Sequence, residues 1–299
     1  MGSRSPCSFE MVGGAPVISG VDFLTIICLM PELPEVETFV RALRAPLIGR
    51  TITGIRNDWS RQIAVLSPDA FRARIIGHRV EAIDRRGKYL VFTLSDDETL
   101  IIHLKMTGHL SVVPAETAND RYAHTVFELD DGRELRFRDP RKFGRVYLVH
   151  DPADVLGPLG PEPLEEGFTA ADLADRLRRH KRAIKPLLLD QTFIAGIGNI
   201  YADEALFRAG ILPTRPSDTL TPAEIEALHA AIQAVLALGI EREGASISTY
   251  VKADGQKGDM QNAVAVFRRT GQACYTCGRP IERIVLGGRS THFCPTCQQ

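Results

Sequence analysis

The 299-residue sequence has no surplus of charge: 36 Lys and Arg stand against 37 Asp and Glu, a net charge of −1 at pH 7. Bulk charge therefore gives no reason to expect a nucleic-acid partner, and any polyanion would have to be met by local basic patches. Cysteine is missing from the whole interval between Cys28 and Cys274. An extracellular disulfide scaffold would spread its cysteines along a shorter chain, so this distribution points to an intracellular protein with one local metal site. No run reaches the ~18 apolar residues needed to span a membrane. Residues 17–29 are apolar, but Asp22 interrupts them, only Arg4 supplies an early positive charge, and no small-x-small cleavage site follows, which argues against a secretory signal. There is no internal repeat and no oligomerisation signal. What remains is ordinary for a soluble globular protein, with 44% hydrophobic and 24% charged residues. The length suits about two domains of ~100–200 residues.

The organisation changes sharply at Pro31. Residues 1–29 are Gly- and Ser-rich, then apolar without a period, and are expected to be an unstructured extension or upstream sequence from a misplaced start. Pro34, Glu35 and Glu37 open a helix, because proline suits the first helical position and acids suit the positive end of the helix dipole. Leu33, Val36, Val40, Leu43 and Leu47 recur at helical spacing, and Pro46 with Gly49 should end the helix. Short β-like runs follow at 51–55, 76–83, 89–94, 100–104, 124–129, 134–138 and 146–149, separated by turns such as Asp130-Asp131-Gly132. Their spacing predicts a β-sandwich. The Pro- and Gly-dense stretch 156–167 reads as a linker. Helices are then expected at 169–180, 184–189, 201–208 after the turn Gly196-Ile197-Gly198-Asn199, and from the capping box at Thr221 to about Ile240. The chain thus divides into 1–29, a β-sandwich domain over 30–160, a helical domain over 168–262 and a cysteine-bearing module over 263–299.

In that module the pattern is C-x2-C, sixteen residues, C-x2-C, formed by Cys274, Cys277, Cys294 and Cys297. Four thiolates at this spacing can close a tetrahedral shell around Zn2+ at ~2.3 Å. The alternative is two disulfides, which the compartment argument disfavours. With four protein ligands no position is left for a reactive water, so the zinc is structural, and in small modules such binding supplies ~10–16 kcal/mol of folding energy. The residues between the pairs should form a β-hairpin with Arg289 near its tip.

Seven stretches in this order resemble the formamidopyrimidine-DNA glycosylases, bacterial enzymes that remove oxidised purines. They are PELPEVE at 31–37, RRGKYL at 85–90, HLKMTG at 103–108, DPRKFG at 139–144, LGPEPL at 159–164, GIGNIYADEALF at 196–207, and the cysteine hairpin. The PELPE start is similar to this branch rather than to the related endonuclease VIII branch, which tends to PEGPE. The resemblance implies an α+β fold: an N-terminal β-sandwich flanked by helices, then a helix–two-turns–helix domain with a C-terminal zinc-finger β-hairpin. It implies a bifunctional glycosylase/AP lyase acting on damaged double-stranded DNA, monomeric, in the bacterial cytoplasm and with no membrane partner. The alternatives are an endonuclease VIII-like enzyme directed at oxidised pyrimidines, or, if the N-terminal extension is retained, a non-enzymatic zinc-containing DNA-binding protein.

The chemistry explains why the motif begins with proline. A secondary amine can attack an anomeric carbon and form an iminium directly, and an N-terminal amine has a pKa of ~7.7–8.0, so part of it is neutral at working pH. Inside a chain the proline nitrogen is a tertiary amide and cannot act as a nucleophile. The working polypeptide is therefore expected to begin at Pro31, after initiation at Met30 and removal of that methionine. By resemblance Glu32 is the acid/base, Glu35 assists through water, Lys88 contacts the phosphate beside the lesion and donates a proton in β-elimination, and Arg289 grips phosphate and assists δ-elimination. Glu37 is expected only to favour the helix dipole. Met106, Arg141 and Phe143 form the wedge that fills the void left by an extruded nucleotide, with Arg141 facing the orphaned cytosine. His103 and Asn199 are expected at phosphates. Two positions depart from the family pattern: Tyr122 stands two residues before His124 where a histidine is usual, and His180 stands where a basic residue is usual. Lys181, Arg182 and Lys185 are expected to keep that patch positive, so that binding depends steeply on salt. Residues 254–263 lie where the family places a mobile lesion-capping loop, and Gly255 and Gly258 permit movement.

Overall fold

The computed structural model describes residues 30–246, 252–253 and 255–299. The expected extension 1–29 lies outside the described residues, as does part of the expected capping loop. Helix α1 (Leu33–Leu47) carries Pro34 in its first turn, and its buried stripe includes Val36, Phe39, Val40, Leu43 and Leu47. Pro46 does not stop it: it sits inside the last turn, and the chain reverses at Gly49, whose φ of +84° suits glycine.

Strands β1 (Ile52–Asn57), β6 (Ala123–Leu129), β7 (Arg133–Arg138) and β5 (His109–Pro114) form one antiparallel sheet in the order β1-β6-β7-β5. Strands β2 (Val80–Arg86), β3 (Tyr89–Leu94), β4 (Thr99–His103) and β8 (Arg145–Val149) form the second, in sequence order. Phe127 and Phe137 from the first sheet meet Phe92, Leu100, Ile102 and Leu148 from the second in one core that α1 also covers. This is the expected sandwich, with two local differences. The run 76–83 is not all strand: helix α2 (Pro68–Ile75), capped by the Ser67 hydroxyl accepting from Ala70 N at 3.2 Å, precedes a turn at Gly77, and the strand begins at Val80. Strand β5 was not anticipated, because only Leu110 is fully buried along it and its alternation is faint.

After the one-turn helix α3 (Ala153–Leu156) the chain enters α4 (Ala170–Leu177), α5 (Ile184–Leu188), α6 (Asn199–Ala209) and α7 (Pro222–Glu241). Thr169 and Thr221 cap α4 and α7 with reciprocal Asp172 and Glu224 bonds, as their spacing predicts. By length and composition α7 could cross a membrane. It packs instead against α1, α4 and α6, with Leu228, Ile232, Val235 and Leu236 in the second core. Leu33, at the start of α1, belongs to this helical core, so α1 is shared between the two parts. The C-terminal strands β9 (Glu282–Leu286) and β10 (Arg289–Phe293) pair as a hairpin with Arg289 opposite Leu286, and Gly287 and Gly288 take the positive φ of the turn.

Phe137 is fully buried, and a Cβ on Gly108 would stand 2.7 Å from its ring, while one on Gly144 would overlap it. The exits of two loops are thus seated on one aromatic side chain. Phe137→Ala is expected to destabilise the fold by ~3–5 kcal/mol, measured as a shift in the urea midpoint at unchanged slope.

Candidate active site

The first turn of α1 meets the first turn of α6. Glu32, 2% exposed, directs its carboxylate to that junction: Oε1 accepts from Ile200 N at 3.0 Å and Oε2 from Tyr201 N at 3.4 Å. A carboxylate at a helix N-terminus is held by free N–H groups and the helix dipole. The approach is possible because Gly198 has no side chain, since a Cβ there would collide with the Glu32 carboxyl group. Gly196, at φ +85°, accepts from Leu33 N at 3.0 Å and completes the joint. Glu35 is equally buried, accepting from Glu32 N at 2.9 Å, the Tyr201 hydroxyl at 2.9 Å and Ala245 N at 2.7 Å.

Burial raises the Glu32 pKa to about 7; attraction to Lys88 opposes this, and repulsion from Glu35 adds to it. Burial raises Glu35 as well. Lys88, 5% exposed, is pushed below the ordinary lysine value by burial, against the pull of Glu32 and Glu35 and with help from Arg289 and Lys105. Both partners move toward neutrality because loss of water outweighs their mutual attraction. Lys88 is positioned by the β2–β3 turn. There Glu162, from the linker, accepts from Arg85 at 2.7 Å, Arg86 at 3.0 Å and the Gly87 amide.

Glu32, Lys88, Gln191, Asn199 and Arg289 line one cavity of about 180 Å³, which the Met30 side of the Met30–Pro31 junction also borders. Pro31 is buried beside it. Asn199 donates Nδ2 to Ser290 O at 3.0 Å, while its Oδ1 is buried without a hydrogen bond among the described residues. Arg289 reaches the cavity through a buried network. Lys185 Nζ lies 2.6 Å from Asp203 Oδ1 and donates to Ser290 O at 2.7 Å and to Thr291 Oγ1 at 2.8 Å, and Asp203 Oδ2 accepts from His292 N at 3.0 Å. Lys185 therefore does not belong to a surface patch, as its place beside Lys181 and Arg182 led one to expect. It is fully buried because Asp203, on α6, pairs with it beneath the hairpin.

The four cysteine sulfurs all lie within 4.8 Å of one another. Cys274 and Cys297 are 3.9 Å apart, and Cys277 and Cys294 are 3.4 Å apart. Disulfides need ~2.05 Å, whereas four bonds of ~2.3 Å to a tetrahedral zinc give spacings near these. The residues fit one zinc ion that closes the base of the hairpin.

Of the other expected site residues, His103 ends β4 and the rest sit on loops. His103 is buried with its ring 4.4 Å from Tyr89, and Nδ1 accepts from Lys105 N at 3.0 Å. Burial, with Lys105 and Lys88, holds its pKa well below the ordinary value, so the ring is neutral and Nε2 carries the proton. Met106 is half-buried, and Arg141 and Phe143 are exposed with the guanidinium 5.0 Å from the Phe143 ring. Tyr122 lies between Arg121 at 4.6 Å and Arg138 at 5.0 Å, a cation–π stack in place of a histidine. His180 packs edge-on against Phe193 at 5.6 Å, beside exposed Lys181. Neither lines the cavity. In the expected capping loop, Met260 is buried and Gly255 has φ +81°. Sequence reasoning missed Asp139, Glu162, Asp203 and Tyr201; each lies within a quoted motif, but nothing in a linear motif shows which polar side chains are buried.

Residues 30–146 match the family described as formamidopyrimidine-DNA glycosylase N-terminal domain, 159–251 the formamidopyrimidine-DNA glycosylase H2TH domain, and 271–299 the zinc finger found in FPG and IleRS. The formamidopyrimidine-DNA glycosylase of Chloroflexus aggregans is 50% identical over 276 residues, 90% of this chain and 98% of its own. That of Herpetosiphon aurantiacus is 48% identical, over 90% of this chain and 100% of its own. Among solved structures, the MutM (Fpg) protein of Thermus thermophilus superposes with a TM-score of 0.82 at 42% identity, over 90% of this chain and 98% of that one. The Lactococcus lactis Fpg in complex with an abasic site containing DNA gives 0.84 at 37% identity, over 90% and 99%.

The burial of Glu32 sets a pH dependence. Its folded-state pKa of about 7 lies above the ordinary 4.5, so the folded state holds the proton more tightly and stability falls as pH rises between those values. Glu32→Gln, neutral throughout, is expected to gain roughly 1–3 kcal/mol on the parent at pH 8 and little at pH 4.5, read from thermal melts at both pH values. A parent melt that does not weaken toward pH 8 relative to the variant contradicts this assignment. Zinc removal has a separate signature. Purified protein should carry one zinc per chain by elemental analysis, and a strong chelator should accelerate amide hydrogen exchange in β9 and β10 while leaving the sandwich strands protected.

Proposed function

The chain belongs to the formamidopyrimidine-DNA glycosylase family, and on that premise we propose that it excises oxidised purines, 8-oxoguanine and formamidopyrimidines, from duplex DNA and then cleaves the strand by β- and δ-elimination in base excision repair. The observation that carries this reading is a buried carboxylate with a pKa of about 7 beside a buried lysine, in a cavity that Arg289, Asn199 and the Met30–Pro31 junction share. A group that is half protonated near neutral pH can both give and take a proton.

Pro31, freed by removal of Met30, attacks C1′ of an extruded nucleotide as the bond to the base breaks, and the base departs with a proton supplied from Glu32. The proline nitrogen then gives up its proton and the C1′–O4′ bond breaks, O4′ taking up a proton, to leave a ring-opened iminium. The iminium acidifies the proton on C2′, and its loss expels the 3′ phosphate. Lys88, whose pKa burial lowers from the ordinary lysine value, moves protons in that elimination. Arg289 and Asn199 grip the flanking phosphates, with arginine's fork suited to two phosphate oxygens. His103 offers a neutral N–H to the same backbone. Met106, Arg141 and Phe143 enter the stack, and Tyr122, His180 and Lys181 extend the contact along the duplex. The zinc held by the four cysteines supplies hairpin rigidity and no open coordination position. The sandwich over 30–160 carries the nucleophile and wedge, the helical part over 168–262 and the hairpin over 263–299 carry phosphate contacts, and the work is done on DNA in the bacterial cytoplasm.

Two forms of the chain test this, one beginning at Pro31 and one retaining Met1–Met30. Each is incubated with duplex containing 8-oxoguanine opposite cytosine in sodium borohydride. The Pro31 form should give a covalent adduct whose peptide mapping places the DNA on the proline nitrogen, and the long form should give none. An adduct on a lysine, or none from the Pro31 form, overturns the mechanism.

A further inference from the structure

The three wedge residues come from two separate loops, residues 104–108 after β4 and residues 139–144 after β7. Something must keep them in register, because a wedge entering a base stack has to arrive as one body. One side chain spans both loops. Asp139 is fully buried. Its Oδ1 accepts from the Thr107 hydroxyl at 2.5 Å, and its Oδ2 accepts from Gly144 N at 2.6 Å. The same Thr107 oxygen accepts from Arg141 N at 3.3 Å. Thr107 follows Met106, and Gly144 follows Phe143, so each bond fixes the backbone next to a wedge side chain. Asp139 N donates to Tyr122 O at 2.8 Å, and this ties in a third segment. Among the described residues no cation pairs with the carboxylate, whose two oxygens are met by a hydroxyl and an amide. Burying a carboxylate without a counter-charge is unfavourable, and an arrangement that keeps one here serves geometry rather than stability.

We propose that Asp139, acting through Thr107 and Gly144, is the positioning residue that holds Met106, Arg141 and Phe143 as one rigid wedge, so that base extrusion, and not the later bond-breaking steps, depends on it. This rests on the function proposed above. A fully acceptor group is needed: asparagine offers one oxygen where two donors wait.

The test uses the Pro31-initiated chain with T107V, T107S and D139N, under single-turnover conditions on two duplexes. One holds 8-oxoguanine opposite cytosine and must be opened, and the other holds a preformed abasic site with no base left to extrude. T107V and D139N should slow excision about ten-fold, the scale of one lost buried hydrogen bond, while cleavage at the abasic site changes by less than about two-fold. T107S, which keeps the hydroxyl, should restore excision. Equal losses on both duplexes, or none on either, overturn the proposal. A second readout is independent of activity: amide exchange at Arg141 and Gly144 should accelerate in T107V and recover in T107S, and unchanged exchange also overturns it. A parent chain that leaves 8-oxoguanine in place contradicts the proposed function instead, while the exchange measurement still decides the role of Asp139.

Discussion

The carboxylate of Glu32, sealed between the first turns of α1 and α6, is the constraint from which the rest of the site follows. It is close enough to cap α6 only because Gly198 leaves room, and it holds a proton near neutrality because its burial there strips it of water. Taking a carboxylate out of water costs several kcal/mol. Two α6 amides and the proximity of Lys88 offset part of that cost, and the remainder is expressed as the raised pKa. The same contact fixes the residue before it. Pro31 cannot move away from the cavity while Glu32 is bonded to Ile200 and Leu33 is bonded to Gly196.

Other groups are delivered to this point by buried ionic clamps from distant parts of the chain. Glu162, in the linker, gathers Arg85, Arg86 and the Gly87 amide and so sets the turn that presents Lys88. Asp203, on α6, pairs with Lys185 and holds β10 through His292, which places the hairpin tip carrying Arg289. Zinc at the far end keeps the hairpin itself in shape. Buried pairs of this kind add little net stability against apolar replacements. Their benefit is directional, since a bond to a named oxygen fixes an orientation that an apolar contact leaves free.

Much of this could be read along the chain. Alternating apolar residues gave the sandwich, Thr169 and Thr221 marked two helix starts, and the spacing of Cys274, Cys277, Cys294 and Cys297 identified the zinc hairpin. The linear reading failed where a signal was weak or shared. Residues 76–79 looked like strand because Ile76 was joined to the apolar run at Val80 and Ile83 across Gly77, where the chain in fact turns, and α2 was passed over although Ser67 and Pro68 mark its start. Lys185 looked like one more surface cation beside Lys181 and Arg182, since charge says nothing of depth.

By itself the sequence determined the periodicities, the caps, the metal-ligand spacing and the motifs that join this chain to its family, because each is a property of residues within a few positions of one another. Only the tertiary structure decided which acids lose their water. Glu32, Glu35, Asp139, Glu162 and Asp203 are ordinary carboxylates in a list of residues. Their roles arise from segments tens to more than a hundred positions away that exclude solvent and supply particular N–H, O–H or cationic partners, and desolvation is a property of enclosure that no local stretch of chain possesses.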